Sequence, residues 1–244
     1  MPFLIFRHQN NRDQTIFMKK IVVFTGAGIS VESGLPTFRG SDGLWEGHRI
    51  EEVATPEAWQ RNPELVQRFY NLRRRDCLRV EPNAAHAYLA DLEKNYDVQI
   101  ITQNIDDLHE RAGSTKVLHL HGQIRKSQSS RNPNLVYDIE GDDLAMGALC
   151  ELGSQLRPHV VWFGEAVPNM AVASSMVEQA DVFIIIGTSL QVYPAANLLF
   201  ACKAGCQIIL IDPNAKQVPI PANVYKIAEN ASKGVTYLAE LLTK

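Results

Sequence analysis

The residues able to do chemistry in this chain gather where apolar runs end. Ile21 to Phe24 is a short β-branched and aromatic run, and Thr25-Gly26-Ala27-Gly28-Ile29-Ser30 follows it at once. Glycines at a strand end let backbone approach a phosphate. The free N–H groups of a helix opening at Ile29 and Ser30 would point at that anion, so the stretch reads as a phosphate site at a first βα turn. Val31 stands where G-x-G-x-x-G has its third glycine, and glycine also serves turns that bind nothing. Three further runs end in the same manner. Val98 to Thr102 leads into Gln103-Asn104-Ile105-Asp106, Asp181 to Ile186 into Gly187-Thr188-Ser189, and Gln207 to Ile211 into Asp212-Pro213-Asn214. Parallel strands bring their carboxyl ends to one edge, where open α/β sheets bind ligands. Four polar clusters on one predicted edge point to a bound dinucleotide.

The elements that must position those clusters follow from periodicity. Pro63 to Arg79 has helical spacing, with Leu65, Phe69 and Leu72 on one face and Val66, Tyr70, Arg73 and Cys77 on the face beside it. Pro82 to Asn95 reads as a helix with Ala85, Leu89 and Leu92 inward, and Ala195 to Ala204 and Gly234 to Lys244 read as two more. Val117 to Leu120 is a short strand leading to His121-Gly122, and Val160 to Phe163 is extended. Apolar strands alternating with helices predict an α/β fold, a mostly parallel sheet covered on both faces. Segments 40–80 and 123–156 fit that sheet poorly and are expected to form a smaller unit, leaving 18–39, 81–122 and 157–244 for the larger one. The sequence before Met18 reads as an upstream extension, 1–17, with no part in the chemistry.

Bulk composition excludes several classes. The chain has 244 residues, 45% hydrophobic and 21% charged, with net charge −3. That is globular composition, without the basic excess of a nucleic-acid or anionic-membrane binder. No apolar run reaches the ~18 residues a membrane span needs. Cys77, Cys150, Cys202 and Cys206 lack framework spacing, which suits a reducing cytoplasm.

GAGIS at 26–30, SGLPTFR at 33–39, TQNIDDLHERAG at 102–113, HLHG at 119–122, RPHVVWFGE at 157–165 and GTSLQVYPA at 187–195 resemble, in this order, the motifs of the sirtuins, NAD-dependent protein-lysine deacylases. The match runs through nearly the whole chain from Met18 onward. The resemblance implies a Rossmann-type large domain, with two insertions forming the smaller one and NAD and an acyl-lysine peptide meeting between them. It places Gly26, Ala27, Gly28 and Ser30 along the NAD phosphates, and Phe38 and Arg39 over the cofactor as a lid. Gln103 and Asn104 would hold the nicotinamide ribose, and Asp106 would accept from the carboxamide. Gly187, Thr188, Ser189, Asp212, Pro213 and Asn214 would bind the adenosine half, with Trp45, Ile105 and Ala231 as further contacts. His121 would be the general base, with Asn104 and Asp106 completing the catalytic set. Val160 to Glu165, with Val161, Phe163 and Gly164 among them, and Val192 to Pro194 would clamp the peptide as an added strand, a mode that reads main chain more than side chains. His8, His48, His86, His109 and His159 are expected to be structural or on the surface.

Two departures from the family pattern carry the detail. Most sirtuins bind a structural zinc with paired C-x-x-C motifs. Here the matching positions read Ser127-Gln128-Ser129-Ser130 and Cys150-Glu151-Leu152-Gly153, one thiol among four. No metal is expected, because serine is a poor zinc ligand and glycine none. Tyr70 and Arg73, at i and i+3, with Ala54 nearby, resemble the branch that removes succinyl and malonyl groups. A guanidinium grips a carboxylate bidentately and a phenol adds a donor. The alternative reading makes Arg73 one of three solvated arginines and Tyr70 helix packing. The expected products are nicotinamide, free lysine and 2′-O-acyl-ADP-ribose. Protein mono-ADP-ribosyl transfer and a non-catalytic NAD-sensing module are the alternatives.

Overall fold

A computed structural model describes residues 18–37, 45 and 47–243. In chain order its elements are β1 (Lys20–Thr25), α1 (Ile50–Val53), α2 (Pro56–Arg61), α3 (Pro63–Arg79), α4 (Ala84–Leu92), β2 (Asp97–Thr102), α5 (Leu108–Arg111), β3 (Val117–His119), β4 (Gly122–Ser129), β5 (Val136–Asp138), β6 (Leu156–Val160), α6 (Met170–Glu178), β7 (Val182–Ile186), β8 (Gln207–Ile211), β9 (Tyr225–Ile227), α7 (Ala231–Gly234) and α8 (Leu238–Leu242). A 3-10 helix, Ala195–Ala201, lies between β7 and β8 where an α-helix was expected.

Six strands form one sheet in the order β3-β2-β1-β7-β8-β9, every pair parallel. Counted within the sheet this is the 3-2-1-4-5-6 order of the Rossmann fold, with the switch point between β1 and β7. The apolar runs alternate faces as pleated strands must. Ile21, Val23, Ile100, Ile184, Ile186, Ile209 and Ile211 pack beneath α4, α7 and α8. Val22, Phe24, Ile101, Phe183, Ile185 and Leu210 pack beneath α6 and the 3-10 helix. Burial on both faces explains why these strands read as unbroken apolar runs.

At the switch point the glycines do structural work before any ligand arrives. The Gly28 amide donates to the Gly187 carbonyl at 2.9 Å, and the Gly26 amide to Ile186 at 3.0 Å. A Cβ on Gly28 would lie 2.6 Å from the Gly187 Cα, and Gly187 itself has φ +64°. No side chain fits between loops this close. The helix expected to open at Ile29 is instead two 3-10 turns, Ala27–Ile29 and Val31–Ser33, ended by Gly34 at φ +103°. Two three-residue turns present no aligned helix dipole, so any anion held here faces loop amides.

A second, antiparallel sheet, β5-β4-β6, is built around the 123–156 segment that was expected to fit the parallel sheet poorly. Helix α3 packs against it. Asn62 caps α3 by accepting from the Leu65 amide at 3.0 Å, and Pro63 supplies the first turn. Its buried face is Val66, Phe69, Tyr70, Arg73 and Cys77, while Leu72 is 51% exposed. The expected apolar stripe was therefore rotated by one position: Leu65 and Leu72 are the flank, and the face reckoned secondary points inward. Arg74, solvated only in the alternative reading of this helix, is fully buried. Its Nε donates to the Ile124 carbonyl at 2.8 Å and its Nη1 to Asn71 Oδ1 at 2.6 Å. Asn71 in turn bonds both the amide and the carbonyl of Leu144, and Gln67 donates to the same carbonyl at 2.8 Å. These bonds staple the first inserted segment to the second.

Candidate active site

A cavity of about 510 Å³ runs along the carboxyl ends of the parallel strands. Sheet order sets the order of its walls. Asp212 and Asn214 follow β8, Gly187, Thr188 and Ser189 follow β7, Gly26, Ala27 and Gly28 follow β1, Gln103 to Asp106 follow β2, and His121 follows β3. Trp45, Ala54, Tyr70 and Arg73 line it from the first inserted segment, and Val161, Phe163, Gly164 and Val192 from the other side. Pro213 is not in the lining, and Ala231 is 5% exposed in the core beneath the sheet. Phe38 and Arg39 lie outside the described residues. Leu35 and Cys77 line the cavity without having been expected there, and Trp162 and Glu165, within the Val160 to Glu165 stretch, line it as well.

The loop after β2 is held from several directions. The Asn104 amide donates to Thr102 Oγ1 at 3.0 Å, and its carbonyl is met by His119 Nδ1 at 3.0 Å. Its side-chain Nδ2 donates to Ser30 Oγ at 3.2 Å, which leaves the amide oxygen as the acceptor for a ligand. The Ser30 hydroxyl donates to Asp106 Oδ2 at 3.1 Å, and the Leu108 amide to Oδ1 at 3.2 Å. Ser30 is thus buried and bonded to Asn104 and Asp106, and it lines the cavity beside Gly26, Ala27 and Gly28. Burial pushes the Asp106 carboxyl up to about 6, against the pull of the Leu108 and Ser30 hydrogen bonds.

His121 has its tautomer fixed. Its Nδ1 lies 3.0 Å from the Gln103 carbonyl, and a carbonyl only accepts. Nδ1 therefore carries the proton and Nε2 the lone pair. Burial holds the imidazole below its usual pKa, outweighing the Gln103 carbonyl, so the ring is neutral at pH 7. A neutral imidazole at the cavity wall with a free electron pair is a general base.

The tyrosine is oriented by Trp162, a residue of the stretch expected to clamp the peptide. Trp162 Nε1 donates to the Tyr70 hydroxyl at 3.1 Å. Indole only donates, so Tyr70 accepts here and keeps its own proton for a second partner. Burial raises the phenol well above its ordinary pKa. Arg157 fixes Trp162 from behind, stacking 3.9 Å from the indole centroid while binding Glu165 at 2.7 Å. Arg73, 8% exposed, pairs with Asp76 at 2.7 Å. The VVWFGE run carried the only signal for Trp162, a buried-strand pattern ending at the cavity.

The positions compared with zinc cysteines make separate side-chain contacts. Cys150 Sγ lies 3.0 Å from Ser154 Oγ, which lies 2.7 Å from Ser129 Oγ. Ser127 sits against the Tyr137 carbonyl instead, and Ser130 is exposed. Among the described residues no group of three or more His, Cys, Asp or Glu side chains comes together to hold a metal. One thiol and two hydroxyls are a poor zinc set. Among the described residues no helix is long and apolar enough to cross a membrane.

Comparison with known proteins agrees with this geometry. A Helicobacter pylori NAD-dependent protein deacylase is 57% identical over 214 residues, covering 88% of this chain and 93% of that protein. A Sir2 homologue solved as an NAD complex superimposes with a TM-score of 0.81 at 41% identity, covering 92% of this chain and 91% of that one. A Sir2–p53 peptide–NAD+ complex gives 0.75 at 30% identity, over 93% and 95% of the two chains. The model of the Sir2 family matches residues 26–194, the stretch that runs from the glycine turn to Pro194 and holds all of the cavity lining except Asp212 and Asn214, and the chain belongs to the Sir2 family.

Proposed function

We propose that this chain is an NAD-dependent protein-lysine deacylase acting on N6-succinyl- and N6-malonyl-lysine as well as N6-acetyl-lysine. The observation that carries the acidic-acyl reading is one cavity lined by His121, Tyr70 and Arg73 together, with the Tyr70 proton left available by Trp162. The donor set fits an extended dinucleotide. Asp212 and the Gly187–Ser189 loop lie at one end, the Gly26–Gly28 backbone in the middle, and Asn104, Asp106 and His121 at the other. NAD would supply an electrophilic ribose carbon that accepts the acyl oxygen as nicotinamide departs.

The residues have separate tasks in that reaction. Asp106, ionised, accepts from the carboxamide, and Asn104 and Gln103 hold the ribose hydroxyls. His121 Nε2 takes a proton from the ribose hydroxyl system, and the products are nicotinamide, free lysine and 2′-O-acyl-ADP-ribose. Val161 to Gly164 and Gln191 to Pro194 both line the cavity, where a peptide would add as a strand. Ala54, 2% exposed, is small where a longer acyl chain must pass. We further propose that no zinc is bound, the Asn71, Gln67 and Arg74 bonds joining the inserted segments in its place.

The test compares kcat/KM on acetyl, malonyl and succinyl forms of one peptide, for the wild type and Arg73→Ala. A charge-assisted bond is worth ~1.5–3 kcal/mol, so the variant should lose roughly ten- to a hundredfold on the succinyl form beyond its loss on the acetyl form. Parallel losses on all three peptides would overturn the acidic-acyl reading.

A further inference from the structure

His119, two residues before the base, has no role in the reaction as derived so far, yet its surroundings are unusual. It is 8% exposed, and both ring nitrogens meet acceptors. Nδ1 lies 3.0 Å from the Asn104 carbonyl, and Nε2 lies 2.8 Å from Glu110 Oε1. Neither partner can donate, because one is a backbone carbonyl and the other a carboxylate. A neutral imidazole has one N–H, so its lone pair would face the carbonyl or the carboxylate head-on. Only the imidazolium satisfies both contacts.

We propose that His119 is a positioning residue held as a cation: clamped by Glu110, it grips the Asn104 carbonyl and fixes the Asn104–Asp106 loop, and it releases that loop when it loses its proton at alkaline pH. The inference rests on the deacylase reading for what the loop does, though not for the charge on the ring.

The rest of the surroundings agree. The His119 carbonyl accepts from Asn169 Nδ2 at 2.8 Å, so the backbone behind the ring is pinned to the segment before α6. The next amide, Leu120, bonds the Thr102 carbonyl at 2.9 Å, fixing β3 to the end of β2. The ring therefore sits on a rigid base and reaches across to a loop, the arrangement in which losing one donor moves the loop. The charged and titratable groups facing it are Glu110 and His109 on α5, Asp106 on the loop and His159 on β6. Burial depresses its basicity, but the Glu110 hydrogen bond and charge outweigh that and raise it above the ordinary imidazole value. The cation in turn favours ionised Asp106, countering part of the burial that raises that carboxyl.

Two measurements test the proposal on the intact protein. The first is the nitrogen NMR spectrum of ¹⁵N-histidine-labelled protein, with the His119 signals identified by their loss in His119→Gln. Both His119 nitrogens should be protonated at pH 7.5, where a free imidazole is mostly neutral. A ring with one bare nitrogen at that pH would overturn the proposal. The second is the pH profile of kcat/KM for NAD with an acetyl peptide, for wild type and Glu110→Gln. Glutamine keeps the acceptor oxygen and the shape and removes only the charge. Loss of a nearby opposite charge should move the alkaline limb down by about one unit or more. A hydrogen bond that is merely structural would leave the limb in place, and that result would overturn the proposal. Wild-type protein without NAD-dependent deacylation would overturn the functional reading instead, and the nitrogen spectrum would still decide the charge on His119.

Discussion

Changing Tyr70 to phenylalanine separates what the hydroxyl does for the fold from what it does for the substrate. The ring stays, so packing against Trp45 and Phe69 is kept. One oxygen is removed, and it has two jobs. It accepts from Trp162 Nε1 at 3.1 Å, and Trp162 is 3% exposed, so the indole N–H would be left buried without an acceptor. A stranded buried donor costs ~1–3 kcal/mol. In a chain of this size each kcal/mol moves the melting temperature by ~2–4 °C, so the variant should melt roughly 2–12 °C lower. The oxygen also presents its proton to an acyl carboxylate, a charge-assisted bond worth ~1.5–3 kcal/mol. Phenol burial keeps that proton in place across the working pH range. The kcat/KM ratio of succinyl to acetyl peptide should therefore fall roughly ten- to a hundredfold, while acetyl turnover follows the small loss of stability. Thermal melting and two-substrate kinetics on the same preparation give both numbers. An unchanged ratio alongside a lowered melting temperature would refute the substrate role and leave Tyr70 as packing.

Two further outcomes follow from the same geometry. Deacetylation should fall as pH drops through about 6, where Asp106 gains a proton and ceases to be a pure acceptor. A kcat/KM profile whose acid limb lies above 7 would contradict this. Because the Asp106 pKa is raised on folding, its protonation favours the native state. Its contribution to stability grows as pH falls from about 6 towards 3.8, the opposite of a salt-bridged carboxylate. Metal analysis of tag-free protein should find far less than one zinc per chain, and a chelator should leave the melting curve unmoved. One tightly held zinc per chain would show that the Ser129, Ser154 and Cys150 cluster was misjudged.

The parallel sheet was legible because its strands are buried on both faces and so appear as unbroken runs such as Ile21 to Phe24. Their carboxyl ends were legible because polar residues interrupt those runs abruptly. Helix α3 was legible as a helix but not in its rotation. Periodicity weighs Leu65 and Leu72 more than an arginine, whereas the fold buries Arg74 and Arg73 by giving their guanidinium groups partners at Ile124, Asn71 and Asp76. Burial of a charge depends on acceptors supplied from distant sequence, which no local window contains. The inserted sheet escaped for a related reason. β4 is bounded by polar residues on both sides of the chain, and its partners β5 and β6 are set by register rather than by hydrophobic alternation. The glycine turn was located correctly and its local form misread: close approach to Gly187, not helix opening, dictates Gly26 and Gly28.

The histidines show where sequence reading stops and why. His109, His119 and His121 fall within one short stretch, and all three are largely enclosed. Their neighbours give them different states. The Thr25 hydroxyl donates to Thr102, so it must accept from His109 Nε2 at 3.0 Å; with no carboxylate as partner, burial first and then the neighbouring His86 and His119 drive that ring well below its usual pKa. His121 faces a single carbonyl, which fixes one proton and leaves one lone pair. His119 faces a carbonyl and a carboxylate, which require two protons. Burial alone pushes all three the same way, so the difference between structural neutral, catalytic base and fixed cation lies in how many acceptors each ring meets, and whether one is charged. Those acceptors come from β1, from the loop after β2 and from α5. A base two residues from a cation of the same residue type is stable only because the Glu110 carboxylate answers one of them. That asymmetry makes His121, rather than His119, the ring that can take a proton from substrate.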